Sequence, residues 1–295
     1  MKWIEARHLV SWAERIDARI RLSEIIAKLV RASAASISAF RFPTGDSAQI
    51  PGYDGRLTAI PADSYQEFLP EGESVWEFGT GTGYYEKANA DYAARTKSPG
   101  AVNPGETSFV FVTPQVWDRT NPTLSDWIIQ KKDERHWKDV RAFDAVRLED
   151  WLELCPAVSA TVAREIVGNL PVTGALSTDE FWREYSTQFQ PALHEEVLLA
   201  GREGQVKLMI QALQGTGKVH RWQGDSLAEV LAFVVACIRK AEGEVRPFLE
   251  ARTLLIESKD TARQLADSPH LVFTVRREAI ELAGRLSENH PVVVP

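Results

Sequence analysis

Apolar residues recur at spacings of three and four through the first 33 positions: Leu9, Ala13, Ile16 and Ile20, then Leu22, Ile25, Ile26, Leu29 and Val30. That period lines one face of a helix and predicts helical structure over 1–33. "FPTGDSAQIPGYDG" (42–55) is turn-rich loop. Strands are expected at "RLTAI" (56–60) and, after the turn signal "PEGE", at "SVWEF" (74–78). "YYEKANADYAART" (84–96) is helical by composition. "ETSFVFVTP" (106–114) reads as a buried strand, β-branched and aromatic until its proline. "LSDWIIQKKDE" (124–134) is a helix that can use Ser125 as its cap, "KDVRAFDA" (138–145) a strand, and "VRLEDWLELC" (146–155) a short amphipathic helix stopped by Pro156.

This alternation predicts one mixed α/β domain over 1–158. A helix and a small-residue connection follow, and 159–178 is expected to link the domains. From 179 onward the pattern changes. "KVHRWQ", "RTLLIES", "HLVFTV" and "HPVVVP" are short apolar strands separated by the helical stretches "SLAEVLAFVVACIRKAEG", "KDTARQLAD" and "REAIELAGRLSE". Strands that alternate with helices predict a parallel sheet, here a three-layer α/β domain over 179–295. The chain stops on a strand, so the 295 residues are expected to be a fragment of a longer protein.

Composition adds limits. Hydrophobic content of 44% and charged content of 25% are ordinary for a soluble globular chain. No apolar run approaches the roughly 18 residues that span a membrane, and "HLVSW" is too short and interrupted for a signal peptide. The expected location is the cytoplasm. Cys155 and Cys237 fall in different domains and suggest neither a disulfide framework nor a zinc site. The six histidines are scattered without metal-ligand spacing. A net charge of −7 argues against a generally basic nucleic-acid coat, although a local basic groove remains compatible with it. "QKKDERHWK" (130–138) reads as a solvated helix face or as a phosphate-contacting edge. Seven of the nine tryptophans lie in the first 151 residues, where core packing accounts for most of them.

Candidate chemistry gathers around "WEFGTGTGYYEKANADYAART" (76–96). Gly79, Gly81 and Gly83 resemble a dinucleotide fingerprint, but the third glycine comes one residue early. They can instead form a flexible turn, or act as spacers that let backbone and substrate approach. The spacer reading starts from Asp54, just before one strand, and Glu77, near the end of the next. Antiparallel pairing puts facing side chains roughly 5 Å apart, where two carboxylates repel unless a cation lies between them. Mg2+ or Mn2+ would suit such oxygen ligands and activate a water against a phosphate. Lys87 can orient that water or neutralise the phosphate, with Asp91 and Arg95 one and two turns further along its helix face. Against this stand ordinary alternatives: a turn aspartate, a solvated strand-end glutamate, and a Lys87–Asp91 surface pair.

The phrases "FRFPTGDSAQIPGYDG", "FLPEGESVWEFGTG", "EKANADYAART", "TSFVFVTPQVW" and "WKDVRAFDAVRLEDWLELCPAV" carry a resemblance over about half the chain. They resemble the PD-(D/E)XK nuclease-like domain that begins some bacterial antiviral STAND NTPases (Avs-type defence proteins). The resemblance implies a restriction-endonuclease-like fold, with Asp54 and Glu77 as metal-binding acids. The motif's lysine position is Gly79, so Lys87 would act as a migrated lysine. Glu24 is the candidate for a supporting acid on the first core helix, in competition with a salt-bridged surface face shared with Lys28 and Arg31. Gln49 and Arg95 are candidate phosphate contacts.

The second half resembles the opening of a STAND NTPase module, with "LLAGRE" (198–203) as its lead-in. "GTGKV" (215–219) fails as a P-loop: position 212 is Ala, Val219 replaces the hydroxyl residue, and a strand follows. "WQGDS" leads from strand to helix, with Asp225 or Ser226 as cap, but has no lysine. A degenerate or nucleotide-free module is expected. The resemblance thus implies an Mg2+-dependent endonuclease effector, cutting double-stranded DNA more readily than RNA and self-associating in the intact protein, without a membrane. The alternative is an inactive nuclease fold that binds nucleic acid or scaffolds a partner.

Overall fold

The computed structural model describes residues 2–43, 52–168, 174–269 and 271–295. The chain divides into two compact units, Lys2–Glu153 and Leu154–Pro295. Each is built on a five-stranded mixed sheet flanked by helices, which makes both α/β.

In the first unit, α1 (Ala6–Ala13) and α2 (Ala18–Ser33) are separate helices. The helical period expected to continue through Ile16 is interrupted by a turn at 14–17, and Ile16 is 98% exposed. β1 (Ala34–Arg41) follows directly. Its pattern did not point to a strand, because it is an edge strand with mostly exposed positions and two register shifts against β2. β2 (Gly55–Pro61) and β3 (Gly72–Phe78) pair antiparallel. From there the chain runs through α3 (Tyr84–Lys97), β4 (Ser108–Val112), α4 (Leu124–Asp133), β5 (Asp139–Phe143) and α5 (Ala145–Leu154), with β3, β4 and β5 parallel. Helix α4 is capped by Thr123 rather than Ser125. The Thr123 hydroxyl accepts from the Asp126 N–H, and the Asp126 carboxylate accepts from the Thr123 N–H. Ser125 is the second residue of the helix, so it lies among the donors that need a cap rather than ahead of them.

Side-chain alternation along β3 gives the sheet its two cores. Val75 packs with Tyr84, Ala88 and Tyr92 of α3 and with Phe109, Phe111 and Trp127. Trp76 points the other way, its ring centroid 6.3 Å from that of Trp151 and 5.7 Å from that of Phe42. Buried indoles need a partner for their N–H. Trp127 donates to Asn89, Trp137 to Thr96, and Trp151 to Ser33. These tryptophans are core residues and are not available to stack on bases.

The second unit contains α6 (Pro156–Val167), β6 (Ala175–Leu176), α7 (Thr178–Ser186), α8 (Glu195–Leu199), α9 (Glu203–Leu213), β7 (Lys218–Arg221), α10 (Leu227–Arg239) and α11 (Val245–Glu250). It continues through β8 (Thr253–Ile256), α12 (Lys259–Leu265), β9 (Val272–Val275), a 3-10 turn at Arg277–Leu282, α13 (Ala283–Leu286) and β10 (Pro291–Val294). Most of α6, the helix expected there, and all of β6 fall within the segment 159–178 expected to link the domains. The strand order is β6-β8-β9-β10-β7. All pairs are parallel except β6 with β8, so the sheet is mixed rather than wholly parallel. A two-residue strand gives no periodic signal, which is why β6 was not expected. Strands β8 to β10 are buried at every position, as covered parallel strands are. Helix α10 is buried continuously from Val230 to Ile238, and both Cys155 and Cys237 are buried free thiols. Among the described residues no helix is long and apolar enough to cross a membrane.

Candidate functional site

The register of β2 and β3 pairs Gly55 with Trp76. Continued by one residue, it sets Asp54 across from Glu77. The Phe78 N–H donates to Asp54 Oδ2 at 2.7 Å, which ties the start of one strand to the end of the other. Alternation puts Glu77 on the same face as Val75, beneath α3. Glu77 is only 2% exposed. Its Oε1 accepts from Arg95 Nε, and the Arg95 Nη2 donates to the Gly52 carbonyl. The guanidinium also lies 4.6 Å from the centroid of the Tyr53 ring. Arg95 is therefore the internal counter-cation of Glu77 rather than a free phosphate contact.

Burial pushes the Glu77 carboxyl up to about 8; the Arg95 hydrogen bond opposes that shift and the neighbouring Asp54 charge adds to it. Burial also raises Asp54, while the Phe78 N–H and the Lys87 charge hold it down. These mutual effects show the two acids and the lysine sharing one electrostatic environment.

Position 79 would carry the lysine of the nuclease motif, two residues beyond Glu77 on the same face. A Cβ added at Gly79 would come within 3.2 Å of Lys87 Cγ and 3.0 Å of Phe111 Cζ. The stem of Lys87 thus occupies the space beside position 79, reaching it from α3 instead of from β3. Its ammonium pairs with Asp91 one turn on. The glycine turn itself is anchored: the Gly79 N–H donates to the Val112 carbonyl at 3.0 Å, and Gln115 Nε2 donates to the Thr80 carbonyl at 2.9 Å. Helix α3 begins at Gly83, which supplies no side-chain cap.

A cleft of about 450 Å3 opens here, lined by Arg19, Ser23, Tyr53, Asp54, Gly79 and Lys87 among others. Glu24, read either as a supporting acid or as part of a salt-bridged surface face, does not line it. Helix α2 instead presents Arg19 and Ser23, which share a face at a spacing of four residues. Sequence reasoning missed both; that spacing was the available signal. Gln49 lies outside the described residues.

Asp54 lines the cleft, whereas Glu77 is buried beside it beneath α3 and does not line it; carboxylate oxygens of this kind suit a hard cation such as Mg2+ or Mn2+, whose remaining positions water can fill. Among the described residues, the trio of histidine and acidic side chains whose ligand atoms lie within 4.8 Å of one another is elsewhere, at His194, Glu195 and Glu196. There Glu195 is bound to Arg239 and Glu196 to Lys240, so protein cations already serve those acids.

In the second unit, "GTGKV" forms the turn from α9 into β7, and a Cβ at Gly217 would lie 2.5 Å from the Ser287 carbonyl oxygen. Ser226 caps α10, its hydroxyl accepting from the Glu229 N–H. A cleft of about 300 Å3 lies at the β7–α10 turn, with Arg202, Trp222 and Asp225 on its wall. Arg202 pairs with Glu229 at 3.1 Å.

Comparison with known proteins finds no family model and no curated protein that matches this chain.

Proposed function

We propose that the unit Lys2–Glu153 is a metal-dependent phosphodiester hydrolase of the PD-(D/E)XK kind, an endonuclease that acts on double-stranded DNA in preference to RNA. The observation that carries this reading is the Lys87 stem lying over Gly79, beside the interacting carboxyls of Asp54 and Glu77. An acid, a second acid and a lysine arriving from three elements are hard to explain by packing alone.

Asp54 and Glu77 would hold Mg2+ or Mn2+. Such an ion supplies a water of lowered pKa and neutralises charge on the phosphate. Lys87, released from Asp91, would orient the attacking water or balance the charge on the phosphate oxygens. Arg95 would keep Glu77 in place until the cation takes over its charge. The half-buried Phe78 N–H would fix one Asp54 oxygen and leave the other free to ligate.

The resemblance adds context that belongs to this proposal. The second unit would be the start of a STAND-type P-loop module in a bacterial antiphage defence protein that is active when assembled. Its parallel strands with a cleft at the β7–α10 turn support an α/β regulatory module. The lack of a lysine in "WQGDS" supports a module that does not hydrolyse ATP.

A second reading is favoured by the ion pairs. Arg95 occupies Glu77 and Asp91 occupies Lys87, as in a fold that binds nucleic acid or a partner without cutting. Plasmid nicking separates the two. The hydrolase reading predicts Mg2+-dependent nicking that falls at least about 100-fold in Asp54→Ala, given the several kcal/mol that a metal supplies. DNA retention without nicking, in both proteins, would replace it with the binding reading.

A further inference from the structure

Ser23 sits on α2, is 2% exposed, and lines the cleft that holds Asp54 and Lys87. Its Oγ has no hydrogen-bond partner among the described residues. A buried hydroxyl without a partner is destabilising, so folded proteins rarely keep one unless water or a ligand serves it. One turn earlier, the exposed Arg19 lines the same cleft and forms no ion pair among the described residues. Across from them is the start of α3. A helix has N–H donors in its first turn that its own backbone cannot satisfy, and Gly83 brings no side chain to satisfy them. A Cβ at Gly83 would meet only the Glu86 carboxylate of the first turn, at 3.9 Å, and one at Gly81 would meet nothing within 4 Å, so the backbone on this side of the cleft can be approached closely.

A guanidinium, an unserved hydroxyl and an uncapped helix start are all donors, and a tetrahedral oxyanion accepts from all three. We propose that Arg19, Ser23 and the first turn of α3 form a phosphate subsite of the cleft. In terms of the hydrolase reading, on which its biological use rests, it grips a backbone phosphate of the nucleic acid. Arg19 gives charge and two N–H donors, Ser23 gives one O–H, and the helix dipole adds a partial positive charge. Asp54 on the same cleft and Glu86 in the first turn of α3 repel an anion, which keeps affinity for a lone phosphate low and leaves tight binding to a phosphate chain accompanied by a cation. A water on Ser23 would also satisfy it, but gives no reason for the uncapped helix and the unpaired Arg19 to share the cleft.

The test titrates the full chain with inorganic phosphate and follows backbone amides together with arginine Nε–H signals by NMR. The proposal expects Arg19 Nε, the Ser23 amide and the amides of residues 84–86 to shift along one saturating curve. Arg19→Gln should raise the apparent Kd about tenfold and Ser23→Ala about threefold, in line with lost charged and neutral hydrogen bonds. Ser23→Ala should also keep or raise Tm, because it removes an unsatisfied hydroxyl. Shifts elsewhere in the chain, or an unchanged Kd in both variants, would overturn the subsite. Nicking assays keep the two claims apart. Phosphate binding as expected from a parent that does not nick removes the hydrolase and leaves the subsite. A parent that nicks, with Arg19→Gln and Ser23→Ala showing unchanged KM for DNA, removes the subsite and leaves the hydrolase.

Discussion

Glu77 is a carboxyl enclosed between a strand and a helix, and its proton reports on the site. The folded chain holds that proton up to about 8, above the ordinary carboxylate range. Its contribution to stability is therefore complete in acid and is lost as pH rises toward 8, because the unfolded chain then releases the proton more readily. Without divalent cation, Tm should fall between pH 5 and pH 8, and Glu77→Gln should flatten that slope. A cation that binds the ionised pair stabilises the folded state by mass action. Mg2+ should therefore raise Tm more at pH 8 than at pH 6, and not at all in Asp54→Asn. Equal Mg2+ shifts in parent and variant would remove the metal assignment.

The candidate residues were legible in the sequence to different degrees. Asp54 and Glu77 could be found because strand pairing and side-chain alternation are regular, and their common surroundings follow from the β2–β3 register. The fate of Arg95 could not, since its place on one helix face does not say which nearby group its guanidinium takes. Glu24 was the candidate acid on this helix, against a surface salt-bridged face, and Ser23 lines the cleft instead. A difference of one residue turns a helical side chain by about 100°, which moves it from the cleft to the neighbouring face.

At the scale of elements, the long helices and buried strands were legible, and the edges were not. β1 has small and polar residues because one of its sides has no partner strand, so the pattern that marks a buried strand is missing. The cap of α4 was misplaced by two residues because Thr123 and Ser125 are both competent side chains, and only Thr123 has Asp126 at the third helical position. Thr123→Ala should cost about 1 kcal/mol in urea unfolding, whereas Ser125→Ala should change stability by less than about 0.5 kcal/mol. The β3–α3 turn makes the more consequential prediction. Gly79→Ala places a methyl against the buried Phe111 ring and the Lys87 stem. It should therefore displace Lys87 and reduce nicking at least about tenfold, with a smaller loss of stability. For the same reason Gly79→Lys, which restores the motif's spelling, should not restore its chemistry. Full activity in Gly79→Ala would mean that the contact between Lys87 and position 79 is incidental.

At the scale of the molecule, two units with separate sheets share one chain. Their α/β character was legible because helix and strand periods alternate throughout. The division falls between Glu153 and Leu154, within a few residues of the helix stop at Pro156. Most tryptophans belong to the first unit, where Trp12, Trp76, Trp127 and Trp151 are each no more than 1% exposed. Fluorescence should therefore follow the unfolding of that unit, while hydrogen exchange at α10 and β8–β10 follows the other. If the units fold independently, a substitution such as Gly217→Ala, whose Cβ would strike the Ser287 carbonyl, should lower protection in the second unit and leave the fluorescence midpoint within about 0.3 kcal/mol. A matching shift in both probes would show one cooperative unit.

The account rests on Asp54 and Glu77 serving one cation, and anomalous diffraction from crystals soaked in Mn2+ addresses that directly. The predicted result is a peak roughly 2 Å from a carboxylate oxygen of each, with Arg95 withdrawn from Glu77 and Lys87 turned from Asp91. A map with no peak in the cleft, or with manganese only at His194, Glu195 and Glu196, would contradict it.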